Sequence, residues 1–82
     1  MRWVHRIPHR DLAINIYETE SRFSIKIEAG PMEQTYKIKK DVVPDLKSAI
    51  AFVDDAFIQS VLSNFEGMFA TLKQSISKFN HP

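Results

Sequence analysis

The sequence predicts an α+β domain: an antiparallel β-meander of three or four strands, then a long C-terminal helix. Three observations predict it. Residues 12–17 and 22–28 alternate apolar and polar with period two, the repeat of half-buried strands. After Pro44 the apolar spacing lengthens to three and four, the repeat of an amphipathic helix. From Ile58 onward that spacing settles into a heptad.

The elements follow in chain order. Residues 2–7 read as a strand with Trp3, His5 and Ile7 on one face, stopped by Pro8. Leu12, Ile14 and Ile16 share the inner face of the next strand. Glu18-Thr19-Glu20-Ser21 is polar and turn-like, and Phe23, Ile25 and Ile27 then line up on the returning strand. Gly30-Pro31 marks a second turn, and residues 33–39 return with Tyr36 and Ile38 inward. Pro44 suits the first helical position and Asp45 the positively polarised first turn. Leu46, Ile50, Val53 and Phe57 form a first stripe suited to covering the sheet, with Ala49 and Ala56 beside them.

Ile58, Leu62, Phe65, Phe69, Leu72, Ile76 and Phe79 form a second stripe, rotated by about a quarter turn from the first at ~100° per residue. Two structures accommodate the rotation. One is a single helix over 44–79, ~54 Å long at 1.5 Å per residue, projecting from the body. The other breaks near Ser63, where Ser63-Asn64-Phe65-Glu66 matches a capping box and Gly67 weakens the helix. The long helix, kinked or straight, is the favoured reading.

Composition narrows the function. The 82 residues suit one domain, with 1–40 forming the sheet and 44–79 serving core packing and oligomerisation. The chain has no cysteine and two glycines, which leaves no disulfide, thiolate cluster or glycine-rich phosphate loop. The apolar runs are too short for a membrane span. The start, Met1-Arg2-Trp3-Val4-His5-Arg6, has no apolar signal region, so a cytoplasmic location is expected. The net charge of +1 hides a polarity: residues 1–40 carry eight Arg/Lys against five Asp/Glu, and residues 41–82 carry three against five.

Two surfaces could carry function. The seven-residue stripe from Ile58 to Phe79 predicts self-pairing into a homodimer or higher oligomer. Folding back on its own core, or binding another protein, are the other uses of such a stripe. The sheet's outer face is the second. With the inner residues assigned as above, Arg2, Arg6, Tyr17, Arg22, Lys26, Lys37 and Lys39 point outward. Such a face can follow the phosphates of single-stranded nucleic acid and stack a base on Tyr17; it equally suits an ordinary solvated sheet guarded against edge aggregation.

Asn15-Ile16-Tyr17, a polar turn, and Arg22-Phe23-Ser24-Ile25-Lys26-Ile27 resemble the central hairpin of a PUR-type repeat. The resemblance covers under half the chain and implies four strands and a helix, dimers, and single-stranded nucleic-acid binding. The heptad tail after residue 58 departs from that pattern.

The remaining polar residues form no catalytic signature. His5 and His9 lie four apart across Pro8, His81 sits in the tail, and a metal site needs three or four convergent ligands. Asp54 and Asp55 point ~100° apart on a helix and suit its solvated face. The expectation is a non-enzymatic binding module without cofactor or metal, pairing with itself and binding no membrane.

Overall fold

The computed structural model describes residues 1–80; His81 of the sequence reading lies outside them. The strands are β1 (Arg2–Ile7), β2 (Ala13–Glu18), β3 (Arg22–Ala29) and β4 (Met32–Lys39). They pair antiparallel in the order β1-β2-β3-β4, a four-stranded meander. The helices are α1 (Leu46–Phe52) and α2 (Asp55–Asn80). The fold class is therefore α+β, with residues 2–7 forming a true strand.

The period-two residues meet across the sheet as their spacing requires. Ile14 opposes Ile27, Ile16 opposes Ile25, and Phe23 opposes Ile38. Leu12, Ile14, Ile16, Phe23, Ile25 and Ile27 are all buried. β-branched side chains pack well on such a half-buried pleat. Two residues, Gly30-Pro31, join β3 to β4 between the opposed pair Ala29 and Met32. Gly30 has φ 58. Pro31 fixes its own φ negative, so the turn takes the II′ sign pattern, whose twist matches that of the flanking strands.

β1 departs from the expected alternation. Trp3 opposes Tyr17 and His5 opposes Ile16, so Val4 is an extra residue in a β-bulge. The bulge reverses which face each earlier residue takes. Val4 packs against the core in place of Trp3, while Trp3 moves to the outer face and stays 55% exposed. Arg2 moves the other way. It opposes Glu18, on the face of Phe23 and Ile38, rather than pointing outward.

The helical region is divided, and the division lies at Val53-Asp54 rather than near Ser63. Asp45 caps α1, its side chain accepting from the Ser48 N–H at 2.8 Å. It is the cap itself (φ −141, ψ 171), not a first-turn residue. Asp54 caps α2 in the same way, accepting from the Phe57 N–H at 2.8 Å. α2 then runs unbroken through Ser63 and Gly67. Ser63 is an exposed interior residue with Leu62 and Phe65 packed on the core beside it. That packing holds the helix where an isolated capping box would stop it.

The break at Val53-Asp54 lets each stripe face the sheet independently. Ala49 and Val53 are buried from α1's side, Val61 and Phe65 from α2's. Tyr36 of β4 meets Phe57 edge-on, with ring centroids 5.1 Å apart. Gln34 of β4 donates its amide N–H to the Val61 carbonyl at 3.0 Å, and the Tyr36 hydroxyl donates to the Gln34 side-chain oxygen. These contacts fix α2 across the inner face.

α2 is longer than the sheet beneath it. Its 26 residues extend ~39 Å, whereas an eight-residue strand extends ~27 Å. The molecule measures 53 × 24 × 19 Å, and its radius of gyration is 15.2 Å. A compact chain of this length would have ~12 Å. The excess is the helical overhang.

Candidate functional site

The seven-residue stripe divides between core and overhang. Val61, Phe65 and Leu72 lie within about 40° of one another around α2, and Phe69, Ile76 and Phe79 stay within about 40° of that line. It is one stripe on one face. Ile58 and Leu62 pack on the protomer's own core, and Phe65 is 3% exposed within it. Of the seven residues expected at a shared interface, these three thus pack on the protomer's own core. Met68 also packs on the core, beside Met32 at the start of β4, and the sheet ends there. Phe69, Ile76 and Phe79 remain 40%, 49% and 90% exposed, and Leu72 is half-buried.

Grooves flank α2 where it leaves the sheet. One, of about 430 Å³, runs between the β1–β2 connection and the helix, past Leu12, Ala29, Leu62, Phe65 and Phe69. A second, of about 350 Å³, lies between Met32 at the start of β4 and Met68 and Leu72. The overhang therefore continues the inner layer of the domain past the Gly30-Pro31 turn.

The outer face is organised in rows across the strands. Trp3, Tyr17, Ser24 and Lys37 form one row, each opposing the next. Arg6, Asn15, Lys26 and Thr35 form the adjacent row, and Arg22 opposes Lys39 at the far end. The structure thus brings six of the seven expected residues to one face and removes Arg2. It adds Trp3, which simple alternation along β1 places inward.

The indole N–H of Trp3 donates to the Asn15 side-chain oxygen at 3.0 Å. That bond ties the ring edge down to a neighbouring outer-face residue. Ser24 is buried on this face between Tyr17 and Lys37 in its row. A shallow depression of about 220 Å³ is lined by Tyr17, Ser24, Lys26, Glu33, Thr35 and Lys37. Lys26 lies 3.9 Å from Glu28 and 3.8 Å from Glu33. Arg6, Arg22, Lys37 and Lys39 form no ion pair among the described residues.

Arg2 and Lys40 form a separate cluster at the inner rim. Both bind Glu18, at 3.0 and 2.8 Å. The hydrogen bond from Lys40, and then that from Arg2, hold the Glu18 carboxyl below the ordinary carboxylate range. Lys40 also lies 5.3 Å from the centroid of the Phe23 ring. The cluster closes the sheet end over its core.

His9 is a loop cap. Its Nδ1 accepts from the backbone N–H groups of Asp11 and Leu12, at 3.0 and 3.2 Å. Among the described residues no three His, Asp or Glu side chains converge as metal ligands. No helix of the described residues is long and apolar enough to cross a membrane. Comparison with protein-family models, curated proteins and solved structures finds no match to this chain.

Proposed function

We propose that this chain is a non-enzymatic interaction module that pairs with a second copy of itself through the overhanging half of α2, in the cytoplasm. The observation that carries the reading is the exposed set Phe69, Ile76 and Phe79 with the half-buried Leu72 among them, which continues the buried stripe without a change of spacing. A heptad repeat suits a helix partner, because each knob then finds a hole on a facing helix. Charge favours a second copy set antiparallel. Glu66 at the root of the overhang and Lys73 farther out both flank the stripe at the same heptad position, so an antiparallel pair brings each root carboxylate toward the partner's lysine.

The magnitudes set the kind of dimer. Fully burying one large apolar side chain stabilises by ~1.5–3 kcal/mol. Phe79 has nearly all of that to gain, and Phe69 and Ile76 about half. The gain is ~5–11 kcal/mol over two copies on that scale, against an association cost of ~4–15 kcal/mol. The balance describes a reversible dimer of chains that fold singly. The paired charges at the sheet rim, Glu18 with Arg2 and Lys40, support a structural rather than an acid–base role for those groups.

Light scattering on a sizing column tests the pairing. The mass should rise from 9.5 kDa toward twice that value as concentration increases. Ile76→Asp and Phe79→Asp should hold it at the monomer value. A native chain that stays monomeric throughout overturns the reading and leaves the stripe to another protein.

A further inference from the structure

We propose that the outer sheet face is a binding platform for single-stranded nucleic acid, centred on Trp3 and Tyr17. It lies on the opposite side of the sheet from α2 and is independent of the pairing proposed above. The bulge at Val4 is the decisive feature, because it turns Trp3 out to oppose Tyr17. Directly opposed residues in an antiparallel sheet stand ~5 Å apart at the backbone, which sets the two aromatic residues as neighbours on one face. The Asn15 hydrogen bond restrains the indole on that surface before any ligand arrives. Restraint lowers the ordering cost of binding.

Cations frame this surface. Lys37 closes the aromatic row on β4, ~14 Å from Trp3 at three strand spacings. Arg22 and Lys39 stand at one end and Arg6 begins the row on the other side. All four are exposed, and none is neutralised by an ion pair among the described residues. Aromatic faces that stack bases, bordered by cations that meet phosphates, are the two parts of sequence-tolerant single-strand binding. A duplex hides its base faces and leaves Trp3 and Tyr17 without a stacking partner. An acidic polypeptide satisfies the cations and leaves the aromatic pair unused.

Trp3 is the sole tryptophan, so its fluorescence reports directly on the platform. The experiment titrates the full chain with a thymidine oligonucleotide of about eight nucleotides, within the span of small single-strand sites. Saturable quenching is expected. With four cations at the phosphates, affinity should fall with salt at a log–log slope of about −3. By polarisation of a labelled probe, Trp3→Ala should weaken binding about tenfold, and Trp3→Phe should restore much of it. Lys37→Glu with Lys39→Glu should weaken it further and flatten the salt slope. All these residues are exposed, so the variants keep the core. Absent quenching at low salt overturns the proposal. So does equal quenching by poly-glutamate, equal affinity for the matching duplex, or an unchanged affinity in Trp3→Ala. Phe79→Asp should leave binding of the short probe intact, which separates failure of the platform from failure of pairing.

Discussion

Phe65 and Phe79 belong to one heptad stripe, yet the structure assigns them opposite energetic roles. Phe65 is 3% exposed in the protomer's own core, whereas Phe79 is 90% exposed at the overhang. Phe65→Ala removes a buried ring between α2 and the sheet and should cost ~3–5 kcal/mol. A chain of this length has a total stability of about 4–12 kcal/mol, so the loss takes a large part of it. Phe79→Ala should cost close to nothing in the monomer. Its effect should appear only where pairing contributes, as a lost dependence of the midpoint on protein concentration. Urea unfolding followed by circular dichroism, at dilute and concentrated protein, reads both. Phe65→Ala should shift the midpoint strongly at either concentration. Phe79→Ala should match the native chain when dilute and fall behind it when concentrated. An equal loss in both variants at high dilution would refute the division of the stripe.

Three further outcomes follow from local geometry. Asp54→Ala removes the acceptor for the Phe57 N–H and should lower stability by ~1 kcal/mol, a fall of ~4–8 °C in the thermal midpoint. Gly30→Ala places a Cβ on a backbone with φ 58 and should cost ~1–2 kcal/mol through conformational strain, since no neighbour lies within 4 Å of the added atom. The carboxyls of Glu18, beside Lys40 and Arg2, and of Asp45, capped by the Ser48 N–H, titrate below their ordinary values. Their contribution is present above the unfolded carboxylate pKa and is lost as pH falls through the lower folded one. Acid titration of stability should therefore show a falling limb below about pH 4, flattened in Glu18→Gln.

Much of the fold was legible because its signals were redundant. In β2 and β3 the alternation, the turn residues and the β-branched content agree on one register, and a slip by one residue would expose every isoleucine. β1 lacked that redundancy. Trp3-His5-Ile7 alternates plausibly, but Val4 is an equally apolar inner residue. A bulge that needs no glycine leaves no mark in composition. The two outer-face errors, Trp3 placed inward and Arg2 outward, are one error of register.

The helix break has its signal in the rotation between the two stripes. A quarter-turn offset between two apolar stripes means that one straight helix cannot set both on the same sheet. The chain resolves this by breaking at Val53-Asp54, where an aspartate can cap, and re-aiming α2. The S-x-x-E pattern at Ser63 is the more specific motif, but a cap forms only where the chain leaves the helix. Leu62 and Phe65 beside it bury against the core and keep it helical. Exposure along the second stripe depends on where the sheet ends beneath α2, a tertiary quantity that periodicity does not contain.

The two proposed surfaces lie on opposite faces of the sheet, and their combination has its own consequence. Pairing in the inner layer leaves both outer faces open. A strand long enough to reach both faces is then held twice, and the second contact is intramolecular. A probe of about thirty nucleotides extends ~100 Å at ~3.4 Å per stacked nucleotide, about twice the 53 Å length of one protomer. Phe79→Asp should leave the short-probe affinity unchanged and weaken the long-probe affinity, with avidity gains of ~10²–10⁴ as the upper range. Competition polarisation with both probe lengths, on native and variant chains, measures the difference. Equal effects on the two lengths would show that the faces act separately, because chain pairing can raise affinity only for a strand that spans both.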